Sequence, residues 1–249
     1  MTHADKQAPS HTLTFHSFAC SHQGNVRNLN EDSILNVPES GMWAVADGMG
    51  GHSAGDVASQ QVVSELEALS NQGTLSELVD AVDDALLEAN LKLRTHSRNH
   101  LNGVTIGTTV VCLILKENTG AVLWVGDSRL YRYRKGVLEQ LTRDHSEVQA
   151  RIDSGILSAE QAEKSTIKNI LSRAVGAFEE LAIDVNAFTI LADDVFLLCS
   201  DGLYNELSNH ELEKLLHTTS LKKMASDLMR ASLSRKAKDN ISLIVVKAS

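Results

Sequence analysis

The chain has 249 residues, 43% of them hydrophobic, and a formal net charge of −9 at pH 7. This length can bury one large core, so we expect a single domain rather than two. The negative charge argues against nucleic acid as the main partner, because phosphate backbones are bound by basic surfaces.

The cysteines and the apolar segments indicate the compartment. Cys20, Cys112 and Cys199 are an odd number of widely spaced residues, each within an apolar run, which is typical of buried thiols in a reducing environment. No apolar stretch approaches the roughly 18–20 residues that cross a bilayer, and no hydrophobic segment follows the polar start of the chain. We therefore expect a cytoplasmic protein that does not bind membranes.

The predicted elements alternate between strand groups and helix groups. Residues 1–11 are polar and are predicted to form a tail, which leaves one domain over residues 12–249. Short apolar or alternating runs predict strands at 12–21, 33–37, 42–47, 108–115, 121–125, 130–134, 136–141, 182–190, 194–199 and 241–247. Apolar residues at helical spacing predict helices at 57–69, 74–97, 208–217 and 221–235.

The order of these elements favours a layered α+β fold. The four strands between residues 108 and 141 are joined by short loops, which predicts an antiparallel meander. Residues 144–180 are charged and contain Gly155 and Gly176, as is typical of a functional flap. Strands, a helix pair, further strands and then helices together predict two mainly antiparallel sheets with helices packed outside.

Aspartates stand beside four of the apolar runs. Asp47 ends a predicted strand, Asp127 and Asp201 follow predicted strands, and Asp239 precedes the last one. Carboxylates gathered where strands end would repel one another unless a cation lay among them. No cluster of cysteine or histidine accompanies them, so Mg²⁺ or Mn²⁺ fits better than zinc. The alternative is that each Asp-Gly or Asp-Asn pair only marks a turn.

The glycine-rich turn after Asp47 allows two interpretations. A nucleotide-binding loop is disfavoured, because Ser53 stands where a third glycine is needed and the turn has no P-loop lysine. In a metal site, Asp47 can bridge two cations and glycine lets the Gly48 carbonyl approach one of them. Arg27, upstream, is either a surface arginine or a guanidinium that binds two oxygens of a phosphate.

Six sequence blocks, taken together, resemble the metal-dependent serine/threonine phosphatases of type 2C. The resemblance extends from about residue 17 to residue 247 and is strongest to the compact single-domain bacterial members. The blocks are Val26-Arg27-x-x-Asn30-Glu31-Asp32, Asp47-Gly48-Met49-Gly50-Gly51, Gly126-Asp127-Ser128-Arg129, Leu141-Thr142-x-Asp144-His145-Ser146, Ser200-Asp201-Gly202 and Asp239-Asn240.

The resemblance implies a fold and a reaction. The fold would be a β-sandwich of two antiparallel sheets flanked by helices, in four α-β-β-α layers, with metals at one end. The reaction would be hydrolysis of phosphoserine and phosphothreonine in proteins by direct attack of a hydroxide that bridges two metals. The protein would thereby reverse bacterial serine/threonine kinase signalling.

The resemblance also assigns roles by position. Asp47 would bridge two core Mn²⁺ or Mg²⁺ ions, and Asp201 and Asp239 would complete the site of the first ion. The Gly48 carbonyl would bind the second ion, and Asp32 would act through metal-bound water. Asp127, together with Asp201, would hold a third, weaker ion. Arg27 would hold the substrate phosphate, and residues 144–180 would form the flap.

Two positions depart from family patterns. Met49 replaces a histidine that is proposed to protonate the leaving group in eukaryotic relatives, so a water on the third metal is one candidate for the acid; His52 is expected to be structural. Bacterial flaps often carry a His-Pro pair where this chain has Ser165-Thr166. Flap-mediated substrate choice is therefore expected to differ, whereas metal binding is not.

The expected partners follow from the same resemblance. They are phosphorylated proteins and an opposing serine/threonine kinase, and we expect a monomer. Three alternatives remain: a catalytically silent scaffold that binds phosphoproteins, a phosphatase of small phosphate esters, and a dedicated partner of one kinase–substrate pair, such as those of bacterial type VI secretion.

Overall fold

A computed structural model describes residues 13–50, 54–69, 73–163, 167, 170–218 and 220–249. The predicted tail, His52 and the Ser165-Thr166 pair lie outside these residues. The described strands are β1 (Phe15–His22), β2 (Asp32–Val37), β3 (Met42–Met49), β4 (Gly107–Thr108), β5 (Val110–Lys116), β6 (Thr119–Val125), β7 (Arg129–Arg134), β8 (Val137–Gln140), β9 (Asp184–Thr189), β10 (Val195–Cys199) and β11 (Ile241–Ala248). The described helices are α1 (Gly55–Glu67), α2 (Leu75–His100), α3 (Glu147–Asp153), α4 (Ala159–Glu163), α5 (Asp201–Tyr204), α6 (Asn209–Leu216) and α7 (Leu221–Leu233).

Two antiparallel sheets form the centre of the molecule. One has the strand order β1-β11-β10-β7-β8; the other has the order β2-β3-β5-β6-β9, with β4 paired to β3. Trp43, Leu113, Phe196 and Ile244 belong to the apolar cluster between the sheets. The outer faces pack against α1 and α2 on one side and against α5, α6 and α7 on the other. The predicted four-layer sandwich is confirmed.

Burial on both faces explains the uninterrupted apolar strands. In β5, Val111 and Leu113 belong to the cluster between the sheets, whereas Val110 and Cys112 belong to the cluster beneath α1 and α2. A strand covered on one face only would alternate apolar with polar residues. The apolar runs therefore reflect the helical layers as much as the sheets.

The helices have local signals that agree with their tertiary packing. Thr74 caps α2 in a capping box, in which its hydroxyl accepts from the Glu77 amide at 3.3 Å and the Glu77 carboxylate accepts from the Thr74 amide at 2.7 Å. A buried stripe on α2 includes Leu78, Val82 and Leu86, at the spacing expected of one helix face. In the described part of the chain, no helix is both long enough and apolar enough to cross a membrane.

The predicted meander is wrong. Strands β5 and β6 pair in one sheet, but β7 and β8 pair in the other, so the loop after β6 crosses the sandwich. The crossing occurs at Gly126, whose φ is +104° and where a Cβ would lie 2.6 Å from Thr109 Cγ2. Glycine is needed for both reasons. Loop length alone cannot distinguish a hairpin from such a crossing.

The three cysteines are free thiols. Cys112 and Cys199 are buried, and Cys20 is half-buried, which agrees with the predicted lack of a disulfide framework. Burial raises the pKa of the Cys112 and Cys199 thiols to about 12, so both are unreactive at neutral pH.

Candidate active site

The predicted aspartates lie at one end of the sandwich. Asp32 opens β2 directly opposite Asp47 in the register with β3. Asp201 follows β10, Asp239 precedes β11, and these two strands are antiparallel neighbours, so both aspartates emerge at the same end. Asp127 follows β6 in the crossing loop. The antiparallel pairing therefore gathers residues up to 207 positions apart in sequence (239 − 32).

The carboxylates repel one another in a poorly hydrated setting. Burial raises the pKa of Asp32 and of Asp127 to about 6, and nearby carboxylates add to both shifts. Burial also raises the pKa of Asp47 well above its usual range, with further repulsion from Asp32, Asp201, Asp127 and Asp239. Such a group of anions is unfavourable unless protons or cations neutralise it.

Asp32 is only partly satisfied by the protein. Its Oδ2 accepts a hydrogen bond from the Ser200 hydroxyl at 2.9 Å. Its Oδ1 is buried and receives no hydrogen bond from the described residues. A buried carboxylate oxygen without a donor is costly, and a water held by a hard cation would satisfy it. The donor set, which is made of oxygen atoms, fits Mn²⁺ or Mg²⁺.

Asp239 is already engaged by a cation of the protein. The Arg27 guanidinium lies 2.8 Å from Asp239 Oδ2, and the two side chains are 50% and 35% exposed. Among the described histidine, cysteine, aspartate and glutamate side chains, no group of three is arranged to hold a metal ion as it stands. The ion pair with Arg27 therefore competes with any cation for Asp239 Oδ2.

A buried amide holds the loop that carries Arg27. Asn240 Nδ2 donates to the carbonyls of Gln23 and Leu29 at 3.0 and 2.8 Å, and its Oδ1 accepts from the Glu31 amide at 2.8 Å. One side chain thus bonds to both ends of the loop at residues 23–31. The sequence showed Asn240 beside Asp239 but could not reveal this role, because its partners are more than 200 positions away.

The backbone at Asp47 and Gly48 is fixed from two sides. Asp47 exchanges hydrogen bonds with Thr109: its amide donates to the hydroxyl at 3.1 Å, and the Thr109 amide donates to its carbonyl at 2.9 Å. A Cβ at Gly48 would lie 2.0 Å from the Gly55 carbonyl oxygen and 2.6 Å from that of Glu31. Glycine at 48 is thus required by the packing of α1 against β3, besides any approach to a metal.

Comparisons with known proteins agree with this arrangement. The family model "Protein phosphatase 2C" matches residues 17–241. The chain belongs to the protein phosphatase 2C family. It is 34% identical to the serine/threonine phosphatase stp of Listeria monocytogenes over 233 residues, which cover 90% of this chain and 92% of the relative. It is therefore a protein serine/threonine phosphatase.

Two solved structures of the family are similar over nearly the whole chain. PppA, described as a key regulatory component of T6SS in Pseudomonas aeruginosa, is 40% identical with a TM-score of 0.88, and the match covers 95% of this chain and 98% of that one. The catalytic domain of PstP, solved with two manganese ions, is 31% identical with a TM-score of 0.87 and coverages of 95% and 99%. Manganese binding is thus shown for a relative that has the same fold over nearly the whole chain.

In this phosphatase, Arg129 links the crossing loop to the start of the predicted flap. Its guanidinium donates to both oxygens of the Asp144 carboxylate, from Nη2 to Oδ2 at 2.7 Å and from Nε to Oδ1 at 2.9 Å. It also lies 3.6 Å from the centre of the Tyr204 ring, and the Tyr204 hydroxyl donates to the Asp127 carbonyl at 3.0 Å. Arg129 and Asp144 stood in the sequence motifs without a role; the contacts make them supports of Asp127.

The predicted flap is closed at its base. Backbone bridges join Ser146 to Leu171 and Thr108 to Val175, which bring the two ends of residues 144–180 together beside β4. His145 lies beneath this base: its Nδ1 accepts from the Gly126 amide at 3.1 Å, and its Nε2 lies 3.2 Å from Asp184. Burial lowers the pKa of His145, which favours the neutral form of the imidazole, as expected of a structural histidine.

Met49 cannot serve as an acid. It ends β3, and a Cβ added at Gly107 would lie 3.0 Å from its terminal methyl, so its side chain packs against β4. The thioether has no proton to donate.

Proposed function

We propose that the acidic cluster is the catalytic centre for hydrolysis of phosphoserine and phosphothreonine in proteins. The observation that carries the proposal is the convergence of Asp32, Asp47, Asp127, Asp201 and Asp239 at one end of the sandwich, with the Arg27 guanidinium at its edge. A cluster of carboxylates with fewer positive than negative charges around it can bind divalent metal ions, and a guanidinium beside the cluster can bind a phosphate.

Asp47, Asp201, Asp239 and the Gly48 carbonyl would hold two core Mn²⁺ or Mg²⁺ ions, and Asp32 would accept from their water ligands. Asp127, together with Asp201, would hold a third, weaker ion. Such ions lower the pKa of water and neutralise charge on a transferring phosphoryl group. The solved PstP domain with two manganese ions supports the core pair.

The residues of the chain have distinct tasks in this proposal. Arg27 would exchange Asp239 for the substrate phosphate, because a guanidinium can bind two phosphoryl oxygens in parallel. Asn240 would hold the Arg27 loop in place during this exchange. The buried thiols are too unreactive, and Met49 has no proton to transfer, so neither supplies a covalent nucleophile or an acid.

The biological setting is a further part of the proposal. A phosphatase of this family acts on phosphoproteins, so an opposing serine/threonine kinase must supply them. The 40% identity to PppA, described as a T6SS component, supports a dedicated kinase–substrate pair of that kind. We also propose one cytoplasmic, monomeric catalytic domain over residues 12–249, with residues 144–180 as a flap beside the site.

The test is hydrolysis of a phosphothreonine peptide with Mn²⁺, Mg²⁺ or EDTA. Asp47→Asn should abolish metal-dependent turnover. Asp193→Asn is the matched control, because Asp193 is 84% exposed at the opposite end of β10 and has a φ of +67°, which asparagine adopts readily. No turnover by folded wild-type protein with either ion would refute the proposal and favour a phosphoprotein-binding scaffold; turnover of small esters alone would favour a small-molecule phosphatase.

A further inference from the structure

A basic segment stands beside the acidic site of this acidic protein. Arg235, Lys236 and Lys238 are exposed within the four residues that precede Asp239. Arg235 is engaged elsewhere, since its guanidinium pairs with Glu211 and donates to the Glu206 carbonyl. Lys236 and Lys238 form no ion pair with the described part of the chain. Two lysines without an ion-pair partner among the described residues thus precede Asp239 by one and three positions, while the whole chain carries −9.

The fold joins the backbone of this segment to the loop that carries Arg27. The Asn25 amide donates to the Ala237 carbonyl at 2.8 Å, between the two lysines in sequence. Gly24 packs so tightly against the same segment that a Cβ there would lie 2.2 Å from the Asp239 carbonyl oxygen and 2.7 Å from that of Ala237. Arg27 then pairs with Asp239 itself. The loop at residues 23–31 and the segment 235–239 therefore form one joined surface.

We propose that Lys236 and Lys238 form a basic rim that binds acidic side chains flanking the phosphorylated residue of a protein substrate. This inference rests on the proposed function and names its substrate class. Charge complementarity carries it: the phosphate would be bound at Arg27, and neighbouring acidic residues would meet the two ammonium groups rather than the carboxylates deeper in the site. Exposed charges of this kind increase selectivity and encounter rate more than intrinsic catalysis.

The experiment compares Lys236→Gln/Lys238→Gln with wild type on three substrates. They are p-nitrophenyl phosphate, a phosphothreonine peptide with two glutamates on each side, and its counterpart with four glutamines. The double variant should lose about 2- to 30-fold in kcat/KM on the glutamate peptide and nothing measurable on the other two substrates. The loss should shrink as salt is raised, because exposed charges are screened.

The matched control is Lys135→Gln/Lys222→Gln. Both lysines are exposed, and they stand at the β7–β8 turn and at the start of α7, away from the acidic end of the sandwich. This variant has the same change in net charge and should leave all three rates unchanged. An equal loss in both double variants would refute the rim, because net charge alone would then explain it. An equal loss on all three substrates, or no loss on the glutamate peptide, would also refute it.

Binding separates this inference from the proposed function. Fluorescence anisotropy measures the dissociation constants of the two labelled peptides on Asp47→Asn protein, with and without the rim substitutions. If the rim binds acidic side chains, the glutamate peptide should bind more tightly than the glutamine peptide, and the rim substitutions should remove this difference. Equal affinities would overturn the rim whether or not the protein is active. Wild-type turnover of p-nitrophenyl phosphate with Mn²⁺ tests the proposed function independently.

Discussion

The buried amide of Asn240 should be worth more to stability than any exposed polar side chain near the site. Asn240 is 4% exposed and makes three hydrogen bonds of 2.8–3.0 Å to the Arg27 loop. A buried hydrogen bond contributes about 0.5–1.5 kcal/mol net, so Asn240→Ala should lower the free energy of unfolding by about 1.5–4.5 kcal/mol. Glu31, Gln23 and Leu29 would be left with unsatisfied backbone groups.

Asn25→Ala provides the comparison. Asn25 makes two hydrogen bonds, to the carbonyls of Leu233 and Arg235 at 3.0 and 3.2 Å, but it is exposed. Water can replace those bonds, so the loss should be below about 1 kcal/mol. Urea denaturation followed by circular dichroism, without added metal, measures both variants. A loss in Asn240→Ala no larger than that in Asn25→Ala would refute the reasoning that burial makes these bonds strong.

Kinetics of a second variant at this position, Asn240→Asp, test the positioning role. If Asn240 holds the Arg27 loop, Asn240→Asp should raise KM for p-nitrophenyl phosphate more than it lowers kcat, because it removes the two donated bonds while retaining an acceptor for the Glu31 amide. A purely structural role would instead reduce the amount of active protein and leave KM unchanged.

Four further outcomes are expected. Arg27→Ala should raise KM for p-nitrophenyl phosphate by about tenfold or more, and Arg27→Lys should restore only part of it, because an ammonium lacks the paired donors; full recovery with lysine would contradict this. Mn²⁺ should raise the Tm of wild type in a concentration-dependent way but not that of Asp47→Asn, as differential scanning fluorimetry can show; equal shifts would place the ion elsewhere. Gly202→Ala should destabilise by about 1–3 kcal/mol in urea, because its Cβ would lie 1.9 Å from the Asn240 carbonyl oxygen; a neutral result would mean that α5 can shift away from β11. Hydrogen bonds within the Ser208 capping box lower the pKa of Glu211 from 4.5 to about 2. The contribution of the ionised Glu211 to folding stability is therefore complete above pH 4.5 and is lost as pH falls toward about 2. The difference in unfolding free energy between wild type and Glu211→Gln should shrink over that pH range, and a constant difference would contradict this reasoning.

Local sequence determined most of the secondary structure. The apolar runs that end at Val45-Ala46 and at Leu198-Cys199 are strands in the structure, and helical spacing predicted α2 and α7. These features depend on neighbouring residues, whose periodicity is visible in the sequence. The aspartates at the ends of the apolar runs were visible for the same reason, and they do gather at one end of the sandwich. The structure at Asp201 was less visible in the local sequence: an Asp-Gly pair is typical of a plain turn, but Asp201 is the first residue of the short helix α5.

Only the tertiary structure decided which sheet each strand joins and which groups meet at the site. The loop at Gly126 has the length of a hairpin loop, yet it crosses from one sheet to the other. The free energy of pairing β7 with either sheet depends on apolar clusters to which residues far away in sequence also contribute. The same holds for the Arg27–Asp239 pair, separated by 212 positions, and for the three bonds of Asn240. Sequence periodicity indicates which side chains are buried. It does not indicate which residues they contact, because those contacts depend on the packing of the whole chain.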